Sequence, residues 1–371
     1  MIRLMVWRHV AGDMKICYIC KGANIHDVNC LRHLAHSGRY EIHLIAHGDQ
    51  PPEIKGVTAH VLPSGKAGLV WAPFLVPLLI RQLKPDLVHA NYLLTGGFFS
   101  ALAFKRPLLL TARGSDVLIA PTLNSLYRLM VRFALKHADL VVARSSSIAA
   151  AINKLGYPAE KIRVFPGGVD TCKFQGGRIS TLKSDFGWPN DTRIVICTRN
   201  HREVYGVESL VNAIPEVVAH RPGVRFLFVG SGPLTEHLVQ RTNVLGVEGY
   251  CKFVGAVKHD LMPEYLAIAD VYVSPAFSDG TSVSLLEAMA CELPVVVTDV
   301  EGNLDLVESG RNGIIVKKGD SASIAKAVGE LLESPPLRRD FGRRNRELVC
   351  QKGDFARSME KLEEIYEALL N

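Results

Sequence analysis

The segment DGTSVSLLEAMACELP, residues 279–294, carries two acids, Asp279 and Glu287, at the entrance to and within one short helical pattern. The small polar residues DGTS suit a helix start, and SLLEAMA supplies strong helix formers with Leu285, Leu286, Met289 and Ala290 on one apolar stripe. The backbone N–H groups of Gly280, Thr281, Ser282 and Val283 then lack intrahelical partners. Together with the positive end of the helix dipole they form a site for a phosphate or another anion. Glu287, about two turns beyond Asp279, is suited to accept hydrogen bonds from hydroxyls. A diphosphate with sugar hydroxyls describes a nucleotide-sugar. An ordinary capped helix in a core uses the same residues, so this segment alone leaves both readings open.

The elements that must position these residues alternate in type. KICYIC, EIHLIA, GVTAHV, DLVHA, PLLLTA, DLVVA and IRVF read as short buried strands, with helical patterns near 26–37, 68–83, 93–104, 121–137 and 146–154. RIVICT, RFLFVG, YCKFVG, DVYVSP, PVVVTD and GIIVK repeat the scheme, with helices near 207–220, 233–245, 260–267, 283–290 and 302–308. Charged helical segments at 322–333 and 355–370 finish the chain. The expected class is α/β, two tandem Rossmann-like domains with an interdomain cleft. Residues 1–13 are read as an N-terminal extension, 14–178 as a first domain, 179–350 as a second, and 351–371 as a C-terminal helix returning toward the first. Parallel sheets bind ligands beyond the carboxyl ends of their strands. The loops of interest therefore include KGANIHD, with Gly22, Asn24 and His26, and RNHREVYG, with Arg199, Arg202 and Tyr205. Next come SGP, after Gly230, and the segment after DVYVSP. His89, at the end of DLVHA, is a candidate for lining an acceptor site or for a structural role.

Composition narrows the classes. With 371 residues, 48% hydrophobic and 22% charged, the chain is expected to fold as two globular domains. The longest nearly uninterrupted apolar stretch, Gly68 to Ile80, is short for a membrane span and contains Pro73 and Pro77. The first 13 residues lack the pattern of a targeting segment. Eight cysteines lie mostly within apolar runs without disulfide-scaffold spacing, which fits a reducing compartment. The expected location is cytoplasmic, with peripheral association at the inner face of the plasma membrane as a further expectation. Cys17 and Cys20 form a CxxC, but on a strand they point to opposite faces. Residues 1–175 hold 21 Lys and Arg against 10 Asp and Glu, whereas the remainder holds 22 against 27. A basic first half suits an anionic membrane surface or a phosphorylated acceptor, or is simply a solvated face. No helix-turn-helix, RNA-recognition or zinc-finger pattern is present, so nucleic acid is not an expected partner.

The chain resembles the retaining glycosyltransferases of the GT-B fold, from the group 1 family also called family 4. Asp279 and Glu287–Ala290, followed by Pro294–Val296, match its acid–seven residues–Glu pattern. KIRVFPGGVD, FVGSGP at 228–233, FVGAV at 253–257, ADVYVSP at 269–275 and DVEGNLDLVESGRNG at 299–313 extend the match. The resemblance implies that Glu287 binds the ribose, that Asp279 addresses the donor sugar, and that Arg199 neutralises the diphosphate, with Arg202 beside it. The amides of Gly280, Thr281 and Ser282 would hold phosphates and sugar, with Gly230 and Tyr205 nearby and Gly255 and Val257 near the base. Gly22, in a loop facing the donor phosphate and the acceptor, would help bind the donor, and Asn24, His26, His89 and Asp116 would form the acceptor side. Arg113, which stands where many relatives have His in a strand-end THG segment, would join Asp279 and Arg199 as a catalytic residue. Asp279 stands where the family usually has Glu, and Tyr205 where it usually has Lys. No bound metal or cofactor is implied. The donor, a UDP- or GDP-sugar, is a substrate, and the acceptor is a glycan, lipid-linked oligosaccharide or glycolipid hydroxyl. The implied mechanism retains the anomeric configuration of a transferred hexose. A nucleotide-sugar epimerase, a phosphorylase, or a non-catalytic nucleotide-sugar-binding subunit are the alternatives, because a scaffold does not fix a function. GSGP at 230–233 does not complete a dinucleotide-binding GxGxxG.

Overall fold

The computed structural model describes residues 14–21, 24–47, 51–63 and 65–371. The expected N-terminal extension, residues 1–13, and Gly22 lie outside the described residues. The chain divides into two compact units. One comprises the chain up to Gly167 together with Ser358–Asn371, and the other is Gly168–Arg357.

The first unit is built on Met14–Cys20 (β1), Tyr40–Ala46 (β2), Val57–Val61 (β3), Leu87–Asn91 (β4), Leu108–Ala112 (β5), Leu140–Ala143 (β6) and Ile162–Val164 (β7). Among the described residues these form a parallel sheet in the order β3-β2-β1-β4-β5-β6-β7. The second unit holds Arg193–Cys197 (β8), Val224–Val229 (β9), Cys251–Gly255 (β10), Val271–Ser274 (β11), Val295–Thr298 (β12) and Gly313–Val316 (β13). These form a parallel sheet in the order β10-β9-β8-β11-β12-β13.

Helices cover both faces of each sheet, which is why the central strands are buried along their length. In the second unit Val195, Cys197, Phe226, Phe228 and Val273 pack into one core layer. Their neighbours in sequence, Ile194, Ile196, Leu227, Val229 and Tyr272, pack into the other. In each sheet the strand order turns back on itself once, between β1 and β4 and between β8 and β11. There, adjacent strands send their following loops in opposite directions, and the carboxyl ends open a crevice.

Several helical boundaries differ from the sequence expectation. The pattern at 93–104 begins with a π turn, Leu93–Gly97, before the helical turn Phe98–Ala101. The pattern at 121–137 breaks at Asn124, whose side chain caps the helix Ser125–His137 by accepting from the N–H groups of Leu126 and Tyr127. The pattern at 302–308 is only the turn Glu301–Leu304. A helix that was not anticipated, Pro335–Lys352, follows Ser334, which accepts from the Leu337 N–H. Its first two residues are prolines. At the first helical positions proline loses no hydrogen bond that the helix would have made. Cys17 and Cys20 are both buried in β1, and burial pushes both the Cys17 and the Cys30 thiols up, the latter to about 11.

The final helix, Phe355–Leu370, places Tyr366 in the first unit, where its hydroxyl lies 2.7 Å from His89 Nδ1. His89 Nε2 lies 2.8 Å from Thr111 Oγ1, so a buried imidazole links the central strands to the C-terminal helix. Burial, with Arg144 and Arg113 adding repulsion, holds His89 down to about 3. Between that value and the ordinary 6.5 the unfolded chain binds a proton that the folded chain refuses. The contribution is therefore intact above pH 6.5 and is lost as pH falls toward 3. His47 and His60, each held near 4 by burial, add the same sign. Urea denaturation should show stability falling between pH 7 and pH 4. Tyr366→Phe, which strips a partner from a buried imidazole, should cost about 1–3 kcal/mol at pH 7.5.

Candidate functional site

The switch point of the second sheet gathers the residues that the sequence singled out. Arg199 leaves the end of β8 and is 7% exposed. Its Nη2 donates to Asp279 Oδ2 at 2.6 Å, and its Nη1 donates to the hydroxyls of Ser282 and Ser284. The Tyr205 ring lies 4.2 Å from the guanidinium carbon. Burial would lower the Arg199 pKa, but Asp279, with Tyr272, Tyr205 and Cys197 adding to it, outweighs burial and holds it above the ordinary value. Arg199 Nε is buried without a hydrogen-bond partner, as are Thr198 Oγ1 and His201 Nε2 in the same loop. Unpaired polar atoms beside a buried cation mark a place where a ligand can complete the hydrogen bonding.

Local sequence explains why the loop takes this form. Gly206 adopts φ 59° at the start of the helix Val207–His220, and a Cβ there would lie 2.1 Å from the Pro275 carbonyl oxygen. The Val204 carbonyl accepts from the N–H of Phe277, which zips the loop after β8 onto the loop after β11. Gly230, at φ 149°, brings the loop after β9 against the Arg199 carbonyl, where a Cβ would stand 2.6 Å away.

The helix Val283–Ala290 starts as the sequence indicates. Ser282 is its N-cap and accepts from the Leu285 N–H at 3.2 Å. Ser282 therefore serves both the helix end and Arg199, and Tyr272 extends the chain by donating to Ser284 Oγ at 3.0 Å. Glu287 faces elsewhere. It is 5% exposed, and its Oε1 lies 2.7 Å from His259 Nε2. Lys173 Nζ, which also pairs with Asp260, approaches His259 Nδ1 at 3.5 Å. A cation at Nδ1 makes that nitrogen the acceptor and puts the ring proton on Nε2, aimed at Glu287. Gly255 and Val257 lie in the segment that leads to His259, and the Gly255 carbonyl accepts from the Gly230 N–H at 2.8 Å. Arg202 is exposed. Gly280 is held against the turn Glu301–Leu304, with no room for a Cβ at Gly302.

The switch point of the first sheet repeats the chemistry. Arg113, just past β5, forms an ion pair with the buried Asp27, and its Nη2 donates to Asn91 Oδ1 at 3.1 Å. Tyr18 donates to the same carboxylate at 3.1 Å. Asn24 caps the helix Ile25–His36 by accepting from the His26 N–H at 2.9 Å. Two of the expected acceptor-side residues turn inward. Asp116 is fully buried and accepts from the N–H groups of Leu93, Arg113 and Gly114, so it fixes the loop after β5. Burial raises its pKa against the pull of those donors. His89 has both ring nitrogens engaged in the core and presents neither to a ligand.

The sequence missed His259, Ser284 and Tyr272, and it pointed to Asp27 and Asn91 as polar residues near the ends of β1 and β4 without their partner Arg113. Asp27 and Ser284 stand within segments already singled out, but only the fold shows which side chain meets which. Among the described residues, no group of three or more His, Cys, Asp or Glu is placed to hold a metal ion. Breaking a largely buried ion pair leaves one charge stranded, so Asp279→Ala should lose about 3 kcal/mol of unfolding free energy. The measurement is urea denaturation of the whole protein without ligand, and an unchanged midpoint would show that the pair does not hold the loops.

Residues 191–334 match the family described as "Glycosyl transferases group 1", and residues 21–173 match "Glycosyltransferase Family 4". The chain is 27% identical over 289 residues to the N-acetyl-alpha-D-glucosaminyl L-malate synthase of Bacillus anthracis, covering 76% of this chain and 74% of that protein. Its fold is similar to that of sucrose-phosphate synthase from Thermosynechococcus elongatus. The TM-score is 0.81 at 20% identity, over 96% of this chain and 99% of that one. It is also similar to Anabaena HepE, solved in complex with UDP and glucose, with a TM-score of 0.80 at 23% identity over 96% and 100% of the two chains. The two parallel sheets with flanking helices are the two Rossmann-like domains of the GT-B architecture, and the chain belongs to the group 1 glycosyltransferases.

Proposed function

We propose that the second unit binds a nucleotide-sugar and that the enzyme transfers a hexose, with retention of configuration and without a metal ion, to a hydroxyl of a glycan, lipid-linked oligosaccharide or glycolipid. The observation that carries this reading is the buried Arg199, held by Asp279, Ser282 and Tyr205 at a sheet switch point with its Nε unpaired. Support for a UDP-linked donor comes from HepE, whose structures hold UDP, UDP-glucose, or UDP with glucose. Support for an acceptor outside central metabolism comes from relatives such as the lipopolysaccharide core biosynthesis glycosyltransferase LpsE of Rhizobium meliloti, 29% identical over 222 residues, 60% of this chain and 62% of that protein.

In this mechanism the bond between the sugar C1 and the β-phosphate oxygen breaks, and the acceptor oxygen bonds C1 on the same face. The acceptor proton passes to a β-phosphate oxygen. Arg199 stabilises the negative charge that grows on the leaving diphosphate, and the N-terminus of Val283–Ala290 adds its dipole. Asp279 holds that guanidinium in place and meets a sugar hydroxyl with its second oxygen. Glu287, oriented by His259, accepts from the ribose hydroxyls. Asn24 and His26 would face the acceptor, and Arg113 would supply a fixed positive charge on that side.

A thermal-shift screen against UDP-, GDP-, ADP- and TDP-glucose should show one nucleotide class raising the melting temperature of the wild type and doing so far less for Glu287→Ala. Equal stabilisation of both proteins would remove the role of Glu287. Proton NMR of the product should show the donor's anomeric configuration, whereas product formed without acceptor would mark an epimerase. His259→Phe removes the partner that orients Glu287, a loss of about one charged hydrogen bond. It should raise the donor KM roughly tenfold and leave kcat nearly unchanged, as expected for uniform binding.

A further inference from the structure

The first unit carries an exposed apolar and cationic face that the donor chemistry does not use. The helices Gly65–Leu83, Phe98–Ala101 and Ser125–His137 cover the same side of its sheet. Ala72, Val76, Phe99, Val131, Ala134 and Leu135 pack inward with Val88, Leu108 and Leu110. Their outer sides therefore form one layer directed away from the sheet. That layer and the turns beside it hold nine of the ten strongly exposed large apolar side chains described in this unit. Trp71, Phe74 and Leu78 form a stripe along the first helix, with Phe74 68% exposed. Leu126 and Leu129 project from the third, and Phe104 stands between the helices, 6.4 Å from Phe133. Isolated exposed apolar residues need no explanation, but a concentration of this kind marks a contact surface.

Charge identifies what it contacts. Residues 65–83, 93–106 and 120–137 contain no Asp or Glu. Arg128, Arg132 and Lys136 follow one another a turn apart on Ser125–His137 and are all exposed. Among the described residues, no carboxylate pairs with Arg132, Lys136 or Lys105, although Arg106 pairs with Asp139. A second copy of the chain would set this cationic face against itself, and like charges across an interface are costly. An anionic bilayer satisfies both features, because indole and phenyl rings enter the headgroup boundary while Lys and Arg reach the phosphates. No described helix is long and apolar enough to cross a membrane. The first helix carries Pro73 and Pro77 and so suits lying in the interface.

We propose that this face docks the enzyme on the surface of an anionic lipid bilayer, with Trp71 and Phe74 as apolar anchors and Arg128, Arg132 and Lys136 reaching the lipid phosphates. The proposal goes beyond the donor reading and does not depend on it, since none of these residues belongs to the site around Arg199.

The test is co-sedimentation of the full-length protein with vesicles of phosphatidylcholine alone and of phosphatidylcholine with phosphatidylglycerol. Binding is expected only to the second and should weaken as salt rises. Each cation near an anionic surface is worth about 1 kcal/mol, so Arg132→Gln with Lys136→Gln should weaken binding roughly 30-fold. Trp71→Ser with Phe74→Ser should weaken it at least as much. Both variants change exposed side chains and should keep wild-type melting temperature and nucleotide stabilisation, so loss of docking is distinguishable from loss of the donor site. Four results would overturn the proposal: equal binding to neutral vesicles, no binding to either, wild-type binding by both variants, or capture of a soluble oligonucleotide in place of vesicles. A dimer dispersed by Trp71→Ser with Phe74→Ser, without vesicle binding, would assign the face to self-association instead.

Discussion

A guanidinium buried at the mouth of a parallel sheet has to be neutralised and hydrogen-bonded, and the second unit is organised around doing both for Arg199. Asp279 supplies the charge, Ser282 and Ser284 accept from one end of the fork, and the Tyr205 face covers it. Asp279, Ser282 and Ser284 come from the segment that opens Val283–Ala290, and Tyr205 comes from the same loop after β8 as Arg199. The ion pair therefore fixes the approach of the loop after β8 to the segment that opens Val283–Ala290. Close backbone packing at Gly206 and Gly230 makes the same approach possible from the opposite side. A positive group set this firmly needs no rearrangement when negative charge develops on a leaving group, which is the condition for electrostatic catalysis.

The first unit reaches a parallel solution with different residues. Arg113 and Asp27 form the ion pair, Asn91 and Tyr18 complete it, and the crevice is again where strand order reverses. Asp116 and His89 stabilise this arrangement from behind. One ties the loop after β5 through backbone donors, and the other joins the central strands to the C-terminal helix as a neutral imidazole. Their polarity serves the fold, even though their positions near strand ends resemble those of ligand contacts. The same contrast applies to the helical layer of this unit, where Val131 and Leu135 face the sheet while Leu126 and Leu129 face outward with the cations.

Much of the architecture was legible in the sequence because parallel strands buried on both faces leave long apolar runs, and turn residues separate them from helical periods. The helix start at Ser282 was readable for the same local reason, since capping depends on residues three positions apart. The helix Pro335–Lys352 was hidden by its leading prolines, which at the first helical positions remove no hydrogen bond that the helix would have made. The break at Asn124 was hidden too, because the apolar pattern continues across it.

The sequence by itself determined the alternation of elements, the family, and the identity of the acids and arginines that line the strand ends. Only the tertiary structure decided their pairing. Asp279 and Arg199 are 80 positions apart and Glu287 and His259 are 28 apart, and in both pairs the two residues come from different strand-end segments. Side chains so separated meet only when a sheet order places their strands or loops together, and no local preference encodes that. The two acids of one helical segment therefore have different partners: Asp279 steadies the cation, and Glu287 is steadied by an imidazole.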